Sequence, residues 1–137
     1  MNANAKTDSA APLLHSSPGF SADVDGVCPI RDVLDRVGDT WSMLALTNLQ
    51  TRPMRFGALR RSIEGISQRM LTVTLRSLER DGLVNRVVRP TTPPEVEYSL
   101  TELGHSIAVP VEALGVWAAQ NRDKMQAARA RFDARTV

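Results

Sequence analysis

The residues best placed to do chemistry in this 137-residue chain lie between Ser67 and Arg80. Arg69, Val73, Arg76 and Arg80 recur so that, at about 100° per residue, they share one side of a helix, with Gln68 and Thr72 on its flank. Leu71, Leu75 and Leu78 take the other side. Arg can bond a guanine edge or a phosphate, Gln can read adenine, and Thr or Val methyls can touch the thymine methyl. The set therefore matches what a helix needs in a DNA major groove. A solvated basic face on an ordinary surface helix carries the same pattern, so the helix alone does not decide.

A second reactive group is Cys28, the single cysteine. Pro29 after it suits the first position of a helix and makes Cys28 the expected N-cap. A thiol at the positive end of a helix favours the nucleophilic thiolate. Arg31 would help; Asp25 and Asp32 would oppose. Cys28 reads either as a small half-buried hydrophobe or as a sensor of oxidants or electrophiles. One cysteine rules out an internal disulfide and a cysteine-based zinc cluster. His15 and His105 are the only histidines. Neither lies in a nucleophile or metal motif, so no catalytic residue, metal ligand or cofactor is expected.

The elements around Gln68–Arg80 must hold it in place. Gly65 fits the left-handed residue that ends a short helix, Ala58 to Ile63, with Leu59 and Ile63 inward and Arg60 outward. Ser67 is a good N-cap for the longer helix, and Asp81-Gly82 closes it. Val84, Arg86 and Val88 then alternate with Asn85, Val87 and Arg89. Beyond the polar, Pro-stiffened tip at 90–94, Val96, Tyr98 and Leu100 alternate with Glu95, Glu97 and Ser99. Period-two alternation on both sides of a turn predicts a hairpin. Met54 to Phe56 is a candidate third strand. Short helix, turn, longer helix and hairpin make a winged helix-turn-helix: mainly α, with a small antiparallel β-hairpin wing. Arg55, Ser67, Gln68, Arg69, Thr72, Val73, Arg76, Arg86, Arg89, Thr91 and Thr92 are the expected contacts to double-stranded DNA.

Charge supports that placement. The chain carries a net +2, but nine Arg between residues 52 and 89 face only Glu64, Glu79 and Asp81, a local +6. A basic segment inside a slightly acidic remainder suits a DNA-facing surface. All but two of the 17 basic residues are Arg, which suits bidentate contacts, although codon usage explains it equally well. No apolar run reaches the length of a membrane span and no leader pattern appears, so a cytoplasmic location is expected.

Residues 1–26 are rich in Ala, Ser, Pro and Asp and predict a flexible extension, with a candidate docked portion around Pro12-Leu13-Leu14 and Phe20. The folded domain spans 27–123. Its first helix carries Ile30, Val33, Leu34 and Val37 on one face and ends at Gly38. The next, Thr40 to Leu49, is apolar on most sides and predicts a buried central helix, with Asn48 lacking an obvious partner. Thr101 caps a last long helix, which Pro110 should bend or divide. Its stripe Ile107, Val111, Leu114 and Ala118, with Trp117 at the edge, outlasts a small core and predicts packing on a second subunit. Residues 124–137 read as a polar, fraying helical tail.

Taken jointly, Cys28-Pro29, Gly38-Asp39-Thr40-Trp41, Arg55-Phe56, the run Gly65 to Leu71, the run Leu78 to Leu83 and the run Pro94 to Thr101 resemble the HxlR-type winged-helix regulators, bacterial relatives of the MarR group. The resemblance covers roughly residues 27–120. It implies a homodimer, paired through terminal helices, that binds an inverted repeat. Ser67 to Arg80 would match the recognition helix and Arg86 to Val96 the wing. In several members a cysteine matching Cys28 senses a small electrophile or oxidant. The resemblance thus favours a DNA-binding transcriptional regulator over a winged-helix protein-interaction module without sequence-specific DNA binding.

Overall fold

The computed structural model describes residues 28–135. The flexible extension expected over residues 1–26 lies outside the described residues. Eight elements follow in order: α1 Pro29–Val37, α2 Thr40–Thr51, β1 Met54–Arg55, α3 Phe56–Ser62, α4 Gln68–Arg80, β2 Val84–Arg89, β3 Glu95–Leu100 and α5 Glu102–Arg135. The chain divides into two compact units, one up to Thr40 and the other from Trp41.

In the first unit, Pro29 opens α1 and Cys28 is its N-cap by backbone geometry, its carbonyl accepting from Asp32 N–H at 3.1 Å. The thiol makes no capping hydrogen bond. Of the expected apolar face only Val37 is buried; Ile30, Val33 and Leu34 are exposed.

The second unit is built on leucines. Leu46, Leu49, Leu59, Leu71, Leu75 and Leu78 are the largest fully buried side chains, each worth about 1.5–3 kcal/mol of apolar transfer. Helix α2 is one-sided rather than buried all round. Ser42, Ala45, Leu46 and Leu49 form its inner face, while Leu44 is exposed. Its apolar surplus exceeds what one small core can cover. Asn48 finds its partner within the helix: Nδ2 donates to the Leu44 carbonyl at 2.7 Å.

Three strands form one antiparallel sheet in the order β1-β3-β2. Met54 pairs with Tyr98, and β2 pairs with β3 from Val84↔Leu100 to Arg89↔Glu95. The third strand is therefore present, but only two residues long, because Phe56 already belongs to α3. Phe56 turns its ring toward Tyr98, with centroids 6.5 Å apart.

Helix α5 runs unbroken through Pro110 to Arg135. The bond that proline removes would have ended on the Ser106 carbonyl, and both residues are exposed, so water can take its place. The tail from Lys124 is helical as far as Arg135, as its Ala, Arg, Gln and Met content favours. At 1.5 Å per residue the helix is about 50 Å long. Gly104 and Ala108 alone on it are buried; Ile107 and Val111 are half-buried.

The start of α5 is pinned to the turn after α4. Thr101 Oγ1 donates to the Gly82 carbonyl at 2.6 Å and accepts from Gly104 N–H at 2.9 Å. Gly104 lies so close to the Leu83 carbonyl that a Cβ there would overlap it. Gly104→Ala should therefore destabilise the fold by about 1–3 kcal/mol, measured by urea denaturation. An unchanged midpoint would refute this close approach.

Candidate nucleic-acid interface

The recognition-type helix is set by its two ends. Ile63 caps α3, and Gly65, at φ +83°, makes the turn two residues later. Gly is favoured there because L side chains strain at positive φ. Ser67 then caps α4, its Oγ accepting from Met70 N–H at 3.0 Å. Leu71, Thr74, Leu75 and Leu78 face inward. Thr74 is the inward residue that a leucine-only pattern passes over.

Outward, Gln68, Arg69, Thr72, Val73 and Arg76 are all exposed, as is the cap Ser67. Val73 keeps 55% of its surface open, an exposed apolar side chain among Arg69, Thr72 and Arg76, with Met70 exposed one turn before it. Thr72 Oγ1 donates back to the Gln68 carbonyl at 2.9 Å, so its hydroxyl proton is already used within the helix.

The wing places its arginines on two different faces. Residues paired across the ladder point to the same side. Val84, Arg86, Tyr98 and Leu100 thus share one face, and the buried Val84, Tyr98 and Leu100 mark it as the core face. Farther out on that face, Arg86 joins Thr72, Arg76, Glu79 and Tyr98 in lining a cleft of about 440 Å³ between α4 and the wing. Among the described residues, neither Arg76, Arg86 nor Arg69 forms an ion pair.

The opposite face carries Asn85, Val87, Arg89, Glu95, Glu97 and Ser99, with Arg55 beside them on β1. Here the arginines are paired. Arg55 Nη2 lies 3.0 Å from Glu95 Oε2, and Arg89 Nη2 donates to Glu97 Oε1 at 3.0 Å. The hydrogen bond and charge of Glu97, and to a lesser degree the charge of Glu95, raise the pKa of Arg89 above its ordinary value. At the tip, Thr91 Oγ1 donates to the Pro93 carbonyl at 2.8 Å, so its proton is spent in shaping the turn. Thr92 is exposed. The eleven expected contacts are thus all exposed, but Arg55 and Arg89 stand on the sheet face away from α4 and the others do not share their neutralised setting.

Cys28 is half-buried at the head of α1. Leu114, Trp117 and Ala118 are exposed along α5, beyond the half-buried Ile107 and Val111.

A helix-turn-helix followed by a hairpin wing, with a basic face on the second helix, defines a winged helix-turn-helix protein. The family model for the HxlR-like helix-turn-helix matches residues 36–126. The chain belongs to this family, whose members are transcriptional regulators. It is 44% identical over 102 residues to the uncharacterised HTH-type transcriptional regulator YtfH of Escherichia coli, covering 74% of this chain and 81% of that protein. Among solved structures it is similar to the transcriptional regulator ytfH from Salmonella typhimurium, at 40% identity and TM-score 0.71, covering 80% of this chain and 99% of that one. It is also similar to the redox regulator HypR in its reduced form, at 39% identity and TM-score 0.69, covering 72% and 98%. Among the described residues no helix is long and apolar enough to cross a membrane.

Proposed function

We propose that the protein is a cytoplasmic regulator that binds an inverted-repeat operator in double-stranded DNA as a homodimer. The observation that carries this reading is the α4 face itself. Gln68, Arg69, Thr72, Val73 and Arg76 stand exposed over a leucine core, and Arg76 and Arg86 meet at one cleft without an ion-pair partner among the described residues. A helix about 10–12 Å across fits a major groove about 12 Å wide. In this reading Ser67, Gln68, Arg69, Thr72, Val73 and Arg76 meet base edges and nearby phosphates. Arg86, with Thr91 and Thr92 at the tip, meets the adjoining backbone. The test is footprinting of the intergenic DNA beside the gene with the purified protein. Protection of an inverted repeat, with centres about 34 Å apart, is the expected result. Absence of any protected repeat, with binding indifferent to salt, would overturn it.

Two symmetric subunits would cover the apolar faces that one chain leaves open. Leu114, Trp117 and Val116 on α5 are each more than half exposed, and Ile30, Val33 and Leu34 lie open on α1. Exposed apolar stripes of this kind mark association surfaces.

The dimer is further proposed to respond to oxidants or electrophiles through Cys28. The half-buried thiol has no capping hydrogen bond to hold it, and one structural relative is the redox regulator HypR. With one cysteine per chain, oxidation would give a sulfenic acid, a mixed disulfide with a small thiol, or a Cys28–Cys28 bridge; a quinone would give an adduct. The bridge requires Cα atoms within about 7 Å. Diamide would take up two electrons and two protons as two such thiols join. Operator affinity should change after diamide or a quinone in the wild type and not in Cys28→Ser. An equal response in both proteins would sink the sensor role.

A further inference from the structure

The far face of the wing holds four charges in a closed arrangement. Across the ladders Arg55 sits opposite Glu97, and Arg89 sits opposite Glu95. Yet each arginine bonds the other glutamate: Arg55 reaches Glu95 and Arg89 reaches Glu97, both at 3.0 Å. Each carboxylate therefore has one arginine directly across and another on the diagonal, both within reach of a long side chain. The carboxylates are the more sheltered partners, 31% and 27% exposed against 63% and 55% for the guanidiniums. Two positive and two negative charges leave this face neutral. The face toward α4 is different, because Arg86 there has no ion-pair partner among the described residues.

We propose that Glu95 and Glu97 neutralise Arg55 and Arg89 and so keep the far face of the wing from gripping DNA backbone regardless of sequence. The proposal rests on the DNA-binding reading above. Its physical basis is range. A lone guanidinium attracts phosphates as a charge, whereas a guanidinium beside a carboxylate acts as a dipole, whose field fades faster and is screened within about 8 Å at physiological salt. Backbone contacts are the sequence-independent part of binding, so removing two of them lowers nonspecific affinity more than it lowers discrimination. Only cations on the α4 side then contribute, and these can engage phosphates while α4 lies in the groove.

The test is a double-mutant cycle on nonspecific DNA. A labelled duplex of arbitrary mixed sequence, about 30 base pairs long, is titrated by fluorescence anisotropy between about 50 and 200 mM NaCl. The proteins are the wild type, Glu95→Gln with Glu97→Gln, Arg55→Ala with Arg89→Ala, and all four changes together. Gln keeps the shape and hydrogen-bonding ability of Glu, and a thermal melt confirms that each protein folds. The Gln pair should bind about three- to tenfold more tightly near 100 mM salt and steepen the salt slope by about one unit or more. That gain should fall below about twofold when both arginines are absent, since no masked cation remains to release. A gain of equal size without the arginines would mean that only net charge matters, and would overturn the proposal. A loss of affinity in the Gln pair would overturn it in the other direction, making the glutamates positioning residues for a DNA contact. A wild type that binds no duplex even at low salt would overturn the DNA-binding reading, and this proposal with it.

Discussion

Replacing Leu114 by Asp is expected to turn the proposed dimer into a folded monomer and to weaken operator binding by about 10²–10⁴-fold, the gain normally conferred by joining two binding modules. Leu114 is 52% exposed in the single chain, so the change removes little from the chain's own core. At a subunit interface the same carboxylate would be buried without a partner, which is strongly unfavourable. Light scattering at micromolar concentration, circular dichroism and operator titration together check the outcome. The folded monomer is what distinguishes loss of association from loss of fold. A dimer of unchanged affinity would place the interface elsewhere, and an unfolded chain would mean that Leu114 serves the core.

Arg69→Ala and Arg86→Ala should weaken binding in different ways. Arg69 is exposed on the first turn of α4, where a recognition helix meets base edges. Losing a bidentate base contact should cost about 1–3 kcal/mol on the operator, with little change on unrelated DNA. Arg86 lies at the cleft between α4 and the wing, a position suited to phosphate. Its loss should weaken operator and unrelated DNA alike and flatten the salt slope by about one unit. Competition titrations over a range of salt separate the two patterns. Retention of full operator affinity by the double variant at physiological salt would remove α4 and the wing from the DNA interface.

The recognition-type helix and its hairpin were legible because their signals are local. Ser67 caps through a bond three residues away, and Leu71, Leu75 and Leu78 are buried as their spacing requires. Alternation placed both wing strands, and the register pairs them over their full length. Helical periodicity also outlined α1 and α2, but periodicity reports a shared face and not what covers it. Ile30, Val33 and Leu34 have the spacing of a core stripe and are exposed in the chain. Leu44 is exposed for the same reason: α2 has more apolar surface than one side can bury.

Pro110 shows a different limit. A proline in a helical pattern predicts a break when the freed carbonyl is buried, and here it lies on the exposed side of α5. Whether water can replace the missing bond depends on surroundings that sequence spacing does not contain. Gly104 is similar, since its closeness to Leu83 joins two segments that are distant in the chain.

The sequence by itself determined the basic face of α4, its cap, the wing strands and the family, because each rests on residues close in the chain or on their joint order. Only the tertiary structure decided which arginines of the wing stand free. Arg55, Arg86 and Arg89 are alike as residues, but strand pairing sets Arg86 beside α4 and sets Arg55 and Arg89 against Glu95 and Glu97 on the other face. A charge's partners are fixed by distances across strands: the hairpin register sets Arg89 against Glu97, and only the docking of the third strand brings Arg55 to Glu95.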